Sequence, residues 1–176
     1  MDGESLKQEG LRLFNEGAYS EALAYFEHAM HVFEAANQPL DAAEMLNNIG
    51  VIHRMESRWE DASTCLEGAR SRFAQAGDRN REAQALGNLA PLYSKQGRQA
   101  DADAAYYQAS AIFESLGDAE RRGEILMALG LMQFDRGERQ AGLANYEAGV
   151  LLIGNPTPRQ RRVQRLLRIK RSLLGG

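Results

Sequence analysis

Residues 79–118, RNREAQALGNLAPLYSKQGRQADADAAYYQASAIFESLGD, hold two helix-length patterns separated by a turn at Gly97. The stretch is one copy of a repeating unit. Ala90 lies 40 residues after Gly50 and 40 before Gly130, and Gly10 falls one interval earlier, with no gap. A period of this length marks supersecondary units stacked in series, each burying its bare face against the next. The expected fold is all-α: four helix-turn-helix units followed by a C-terminal capping helix.

Composition agrees. The chain has 176 residues, four prolines and one cysteine, Cys65. It is long enough to bury a sizeable core, and a single cysteine excludes an internal disulfide and fits a reducing compartment. No apolar run reaches the roughly 20 residues of a membrane span. The start, MDGESLKQEG, lacks the basic and apolar regions of a signal peptide. A cytoplasmic protein is the expectation. The net charge of −3 is unevenly spread. Seven of the 21 basic residues and none of the 24 acids lie in 159–176, so residues 1–158 carry −10.

Each interval predicts two helices. The first closes at Gly17, Ser57, Gly97 and Gly137, equivalent positions that suit a left-handed residue, with Ser57 the strained exception. The second closes at Asn37, Gly77, Gly117 and near Asn155. Asp78, Asp118 and Thr157 are placed to cap the helices that follow, and Pro39 and Pro158 fall in first turns, where a missing N–H costs nothing. Gly10, Gly50, Ala90 and Gly130 on first helices match Ala22, Ala62, Ala102 and Gly142 on second helices. Small residues at facing positions let two helix backbones approach closely. Phe26, Leu66, Tyr106 and Tyr146, then Phe33, Phe73, Phe113 and Ile153, supply the bulk around them, with Leu6, Leu46, Leu86 and Leu126 recurring on the first helices.

These residues resemble the tetratricopeptide repeat (TPR) family. The motif of small, small, large apolar and small residues reads Gly10-Ala22-Phe26-Ala29, Gly50-Ala62-Leu66-Ala69, Ala90-Ala102-Tyr106-Ala109 and Gly130-Gly142-Tyr146-Gly149. The 40-residue interval, with LNNIG at 46–50 and LGNLA at 86–90, is similar to the long-repeat subtype of kinesin light chains and spindle-orientation adaptors. The resemblance implies an α-solenoid in a right-handed superhelical stack. Four repeats are expected at about 1–37, 38–77, 78–117 and 118–156, together filling 1–158, with 159–176 a basic capping helix. In phase, Leu166, Ile169 and Leu173 match Leu126, Leu129 and Gln133, as in the first helix of a fifth repeat, and Lys170 takes the small-residue slot.

Catalytic constellations are absent: there is no P-loop, no Gly-rich dinucleotide turn, no HExxH and no nucleophile elbow. His28 and His31 lie three apart without a third ligand, and His53 occupies a site filled by Leu13 and Tyr93 in other repeats, which marks it as a packing residue. No enzyme, cofactor or metal is expected. The resemblance places first-helix side chains on a concave face. Carried onto this chain, the peptide-binding groove would comprise Gln8, Leu11, Phe14, Asn47, Asn48, Val51, Arg54, Met55, Gln84, Asn88, Lys95, Met127, Leu131 and Phe134. Lys7 and Glu44 point the same way in that frame. Asn48 and Asn88 are one interval apart, and a carboxamide can both donate to and accept from an extended peptide backbone. Leu11 and Gln84 replace an asparagine and a lysine of the family's carboxylate clamp, so that ligand class is not expected. Pro91, inside a first helix, is expected to kink it. The expected function is a protein-interaction scaffold binding a peptide or helix of a partner protein, with neither nucleic acid nor a membrane span involved. The alternative is a self-assembling homo-oligomer that uses the basic C-terminal helix or the end repeat.

Overall fold

The structure, a computed structural model, describes the backbone of residues 1–174 and the side chains of residues 1–167. Its helices are α1 Gly3–Asn15, α2 Tyr19–Ala35, α3 Pro39–Met55, α4 Trp59–Gln75, α5 Arg79–Lys95, α6 Gln99–Ser115, α7 Ala119–Asp135, α8 Arg139–Leu152 and α9 Pro158–Leu174. No strand occurs among the described residues. The chain divides into two compact units, Met1–Ala102 and the part from Asp103 onward. Gly175 and Gly176 lie outside the described residues, as do the side chains of Ile169, Lys170, Arg171 and Leu173.

Local chemistry sets the helix ends. Asp2, Asp78 and Asp118 accept from the backbone N–H groups of Ser5, Arg81 and Arg121 at 2.7, 3.0 and 3.0 Å. Each uses its carboxylate to satisfy a donor that the first turn leaves open. Thr157 and Gln160 form a reciprocal capping box: the Gln160 N–H donates to Thr157 Oγ1 and the Thr157 N–H to Gln160 Oε1. Gly17, Gly97 and Gly137 take φ of +80°, +77° and +87°, and Ser57 takes +61°. A left-handed serine costs roughly 1–2 kcal/mol. The turn closes all the same, with the Arg58 N–H donating to the His53 carbonyl at 2.8 Å, as Ala18 donates to Leu13 at 2.9 Å.

One expectation needs correction. α8 stops at Leu152, about one turn short of Asn155, and Ile153 is extended. No left-handed residue follows it. Pro156 is the physical reason, because it disfavours a helical conformation at the residue before it and has no N–H to continue a helix. Pro91 lies inside α5, which runs 17 residues to Lys95.

In the first unit the core runs from hairpin to hairpin. Leu6 packs with Phe26, Ala29 and Phe33 of α2 and with Met45, Ile49 and Ile52 of α3. Further along, Ala43 joins Ala69, Phe73 and Ala85, and Leu66 joins Leu89 and Leu92. The small-residue slots act differently here than backbone approach alone would require. A Cβ on Gly10 would lie 2.7 Å from the Phe26 ring, and one on Gly50 2.7 Å from Leu66 Cγ. What the glycines admit is a large side chain, not the facing alanine.

The second unit shows the closer approach. A Cβ on Gly130 would lie 2.6 Å from the Gly142 carbonyl oxygen, and one on Gly149 2.5 Å from that of Gly123. Helices α7 and α8 therefore touch backbone to backbone at two levels. Arg136, largely buried after α7, donates to both oxygens of Asp103 on α6 at 3.0 and 2.8 Å. α9 is fixed to α8 by Gln164, whose amide donates to the carbonyls of Val150 and Ile153 at 2.7 and 3.0 Å. Both carbonyls lie at the C-terminal end of α8, and that of Val150 also accepts from the Ile153 N–H at 3.4 Å.

Candidate functional site

In the first unit, α1, α3 and α5 present a charge relay across three hairpins. Glu44 lies between Lys7 on α1, at 2.8 Å, and Arg81 on α5, at 2.9 Å. Burial pushes the Lys7 ammonium down, but the Glu44 hydrogen bond and the charges of Glu44, Glu4 and Asp41 outweigh it, and its pKa is raised. The relay floors a cleft of about 510 Å³ lined by Lys7, Glu44, Asn47, Asn48, Phe73, Asp78, Asn80, Arg81 and Gln84. Beside it is a smaller socket of about 80 Å³ formed by Leu11, Phe14, Phe26, Asn48 and Val51. The cleft is polar and the socket apolar. Asn48 is the residue common to both.

Of the groove residues expected from sequence, Asn47, Asn48 and Gln84 line the cleft, and Leu11, Phe14, Asn48 and Val51 line the socket. The two repeat-equivalent asparagines are not alike. Asn88 donates to Asn47 Oδ1 at 3.4 Å, across α5 and α3, whereas the half-buried Asn48 has no hydrogen-bond partner among the described residues. Gln8 is exposed and donates to Glu4 on its own helix. Arg54 is half-buried with Nε unpartnered, while Met55 and Lys95 are exposed at helix ends. In the second unit, Leu131 and Phe134 are exposed on α7. Met127 there is taken up by packing: the Gln160 amide reaches its sulfur at 3.8 Å, and its Cγ faces Gly149.

Phe73, Asp78, Asn80 and Arg81 were not among the sequence-based candidates. A signal for Arg81 was present, since Lys7, Glu44 and Arg81 alternate in sign at a spacing of 37 residues. That is one repeat less about one helical turn, the offset at which neighbouring first helices meet here.

His53 and Cys65 carry no evident chemistry. Burial, with the neighbouring Asp61 and Glu27 carboxylates, pushes the Cys65 thiol up, which keeps it from the reactive thiolate form. His53 is buried with Nδ1 unpartnered. Burial, then the charge of Arg58, lowers its pKa from 6.5. A histidine lowered on folding contributes stability above its unfolded pKa that is lost as pH falls through the folded one. His53→Leu, which copies Leu13, is expected to raise stability by about 1 kcal/mol and to flatten the loss below pH 6.5. Urea midpoints at neutral and mildly acidic pH check this, and an unchanged acid slope would refute it. Among the described residues no three His, Cys, Asp or Glu side chains gather as metal ligands, and no helix is long and apolar enough to cross a membrane.

A family model described as tetratricopeptide repeat matches residues 41–115. That segment spans α3 to α6, two helix hairpins in phase with the rest. Residues 41–115 are tetratricopeptide repeats. No curated protein matches the chain. Among solved structures, BtubC (BKLC) from P. vanneervenii is similar at 18% identity and a TM-score of 0.74 over 94% of this chain and 64% of that one. This chain thus spans less than two thirds of that protein. The Pseudomonas aeruginosa PilF structure aligns at 16% identity and a TM-score of 0.54 over 99% of this chain and 93% of that one. The nearly identical TPR-like repeats named for a kinesin light chain of Podosopora anserina align at 13% identity and 0.54 over 97% and 94%. At such identities the likeness is one of fold: the TPR solenoid.

Proposed function

We propose that the chain is a non-enzymatic protein-interaction module whose first unit binds an extended peptide segment of a partner across α1, α3 and α5. TPR folds in general serve protein–protein interaction, and TPR proteins are typically scaffolds without catalysis. The observation that carries the finer reading is Asn48. Its carboxamide is uncommitted and stands where a polar cleft meets an apolar socket. One amide can there pair with a peptide N–H and C=O while the next side chain enters the socket. The socket walls, Leu11, Phe14 and Val51, suit one aliphatic side chain. Asn88 takes the supporting part, through its bond to Asn47. The free, half-buried Cys65 suits a reducing compartment, so the cytoplasm is the proposed setting.

Selection of peptides from a random library against the chain tests this. Enriched peptides are expected to lose about tenfold in affinity on Asn48→Ala, the scale of one desolvated hydrogen bond, with helicity unchanged by circular dichroism. Peptides that bind the variant equally well would place recognition elsewhere.

A further inference from the structure

We propose that the exposed face of α9 docks on the exposed acidic stripe of α2 in a second copy of this chain. The starting observation is Leu166. It stands in phase with Leu6, Leu86 and Leu126, which are 2%, 4% and 8% exposed, yet it is 66% exposed itself. In the first hairpin α2 covers the equivalent leucine, and in the second Leu46 faces Gly68 of α4. Nothing described covers Leu166. Arg159, Arg162 and Arg165 are exposed around it, on a helix whose segment 159–176 has seven basic residues and no acid.

The complementary surface is α2. It carries Glu21, Glu27 and Glu34 and neither lysine nor arginine. Glu21 and Glu27 are exposed and have no ion-pair partner among the described residues; only Glu34 is engaged, by Arg72 at 3.4 Å. Ala24, a small apolar residue, is exposed between the two carboxylates. Glu21, Ala24, Glu27 and His31 follow one another at helical spacing, as do Arg159, Arg162 and Leu166, so each set forms one stripe. Both stripes are exposed to solvent. A second α9 is ruled out by like charge. The body of another copy, at −10 over residues 1–158, attracts α9 at long range as well as locally.

Exposed ion pairs add little individually, so the association is expected at about 10–100 µM and to be salt-sensitive. Sedimentation velocity of the full chain over a concentration series reads it directly. The expected result is reversible self-association at low salt that weakens about tenfold or more in high salt. R159E/R162E/R165E and E21K/E27K, each still helical by circular dichroism, are expected to be monomeric alone. Mixing the two is expected to restore association, because each reversed stripe then meets its opposite. A monomeric wild type, variants that still self-associate, or a mixture that stays monomeric would overturn the proposal. So would a wild-type chain that stays monomeric and binds vesicles containing phosphatidylserine, the outcome for an α9 that recognises lipid instead.

Discussion

Gly149→Ala is expected to lower the stability of the second unit by about 2–3 kcal/mol, an overpacking cost. The added methyl carbon would sit 2.5 Å from the Gly123 carbonyl oxygen and 2.8 Å from the Met127 backbone nitrogen. Neither atom can swing aside, so α7 and α8 would have to move apart along their length. Alanine gains about 1 kcal/mol over glycine in a helix interior, which offsets only part of that separation. Gly68→Ala in α4 is the control. Its Cβ would meet only the flexible end of Leu46, at 3.1 Å, so the propensity gain should nearly balance the contact. Chemical denaturation of both variants decides the point. Equal midpoints would mean that the backbone contact is not what holds this pair.

Glu44→Lys is expected to cost about 2 kcal/mol, mostly recoverable in high salt. The carboxylate holds Lys7 at 2.8 Å and Arg81 at 2.9 Å, and all three side chains are at most one-third exposed. Replacing it removes two attractions and sets three cations together across α1, α3 and α5. Glu44→Gln, which keeps the shape, should cost clearly less. Because these groups floor the cleft, peptide affinity should fall with the charge reversal as well. A denaturation midpoint that ignores both charge and salt would show the relay to be ornamental.

Much of the architecture was legible because repetition shows a small signal several times over. A lone glycine says little, but Gly17, Gly97 and Gly137 in register located turns that the structure confirms, with left-handed φ at each. Asp78 and Asp118 named their helix starts for the same reason. Where the register lapses, the reading weakens. α8 ends early under the local influence of Pro156, which no other repeat shares. The site was harder. Position in a repeat says which way a side chain points, not whether its polar group is already spent. Asn48 and Asn88 are indistinguishable by register, and only coordinates show that one amide leans on Asn47 while the other stands free. Likewise Met127 occupies a groove position and is consumed by Gly149 and Gln160.

Phe26 has a double life with a practical consequence. The same ring that fills the space above Gly10 in the core is the back wall of the socket beside Asn48. Any attempt to widen that socket for a bulkier guest therefore thins the scaffold itself, and melting temperature and ligand choice will move together. A designer seeking new specificity would do better to leave the ring alone and work from the rim, at Leu11 and Val51.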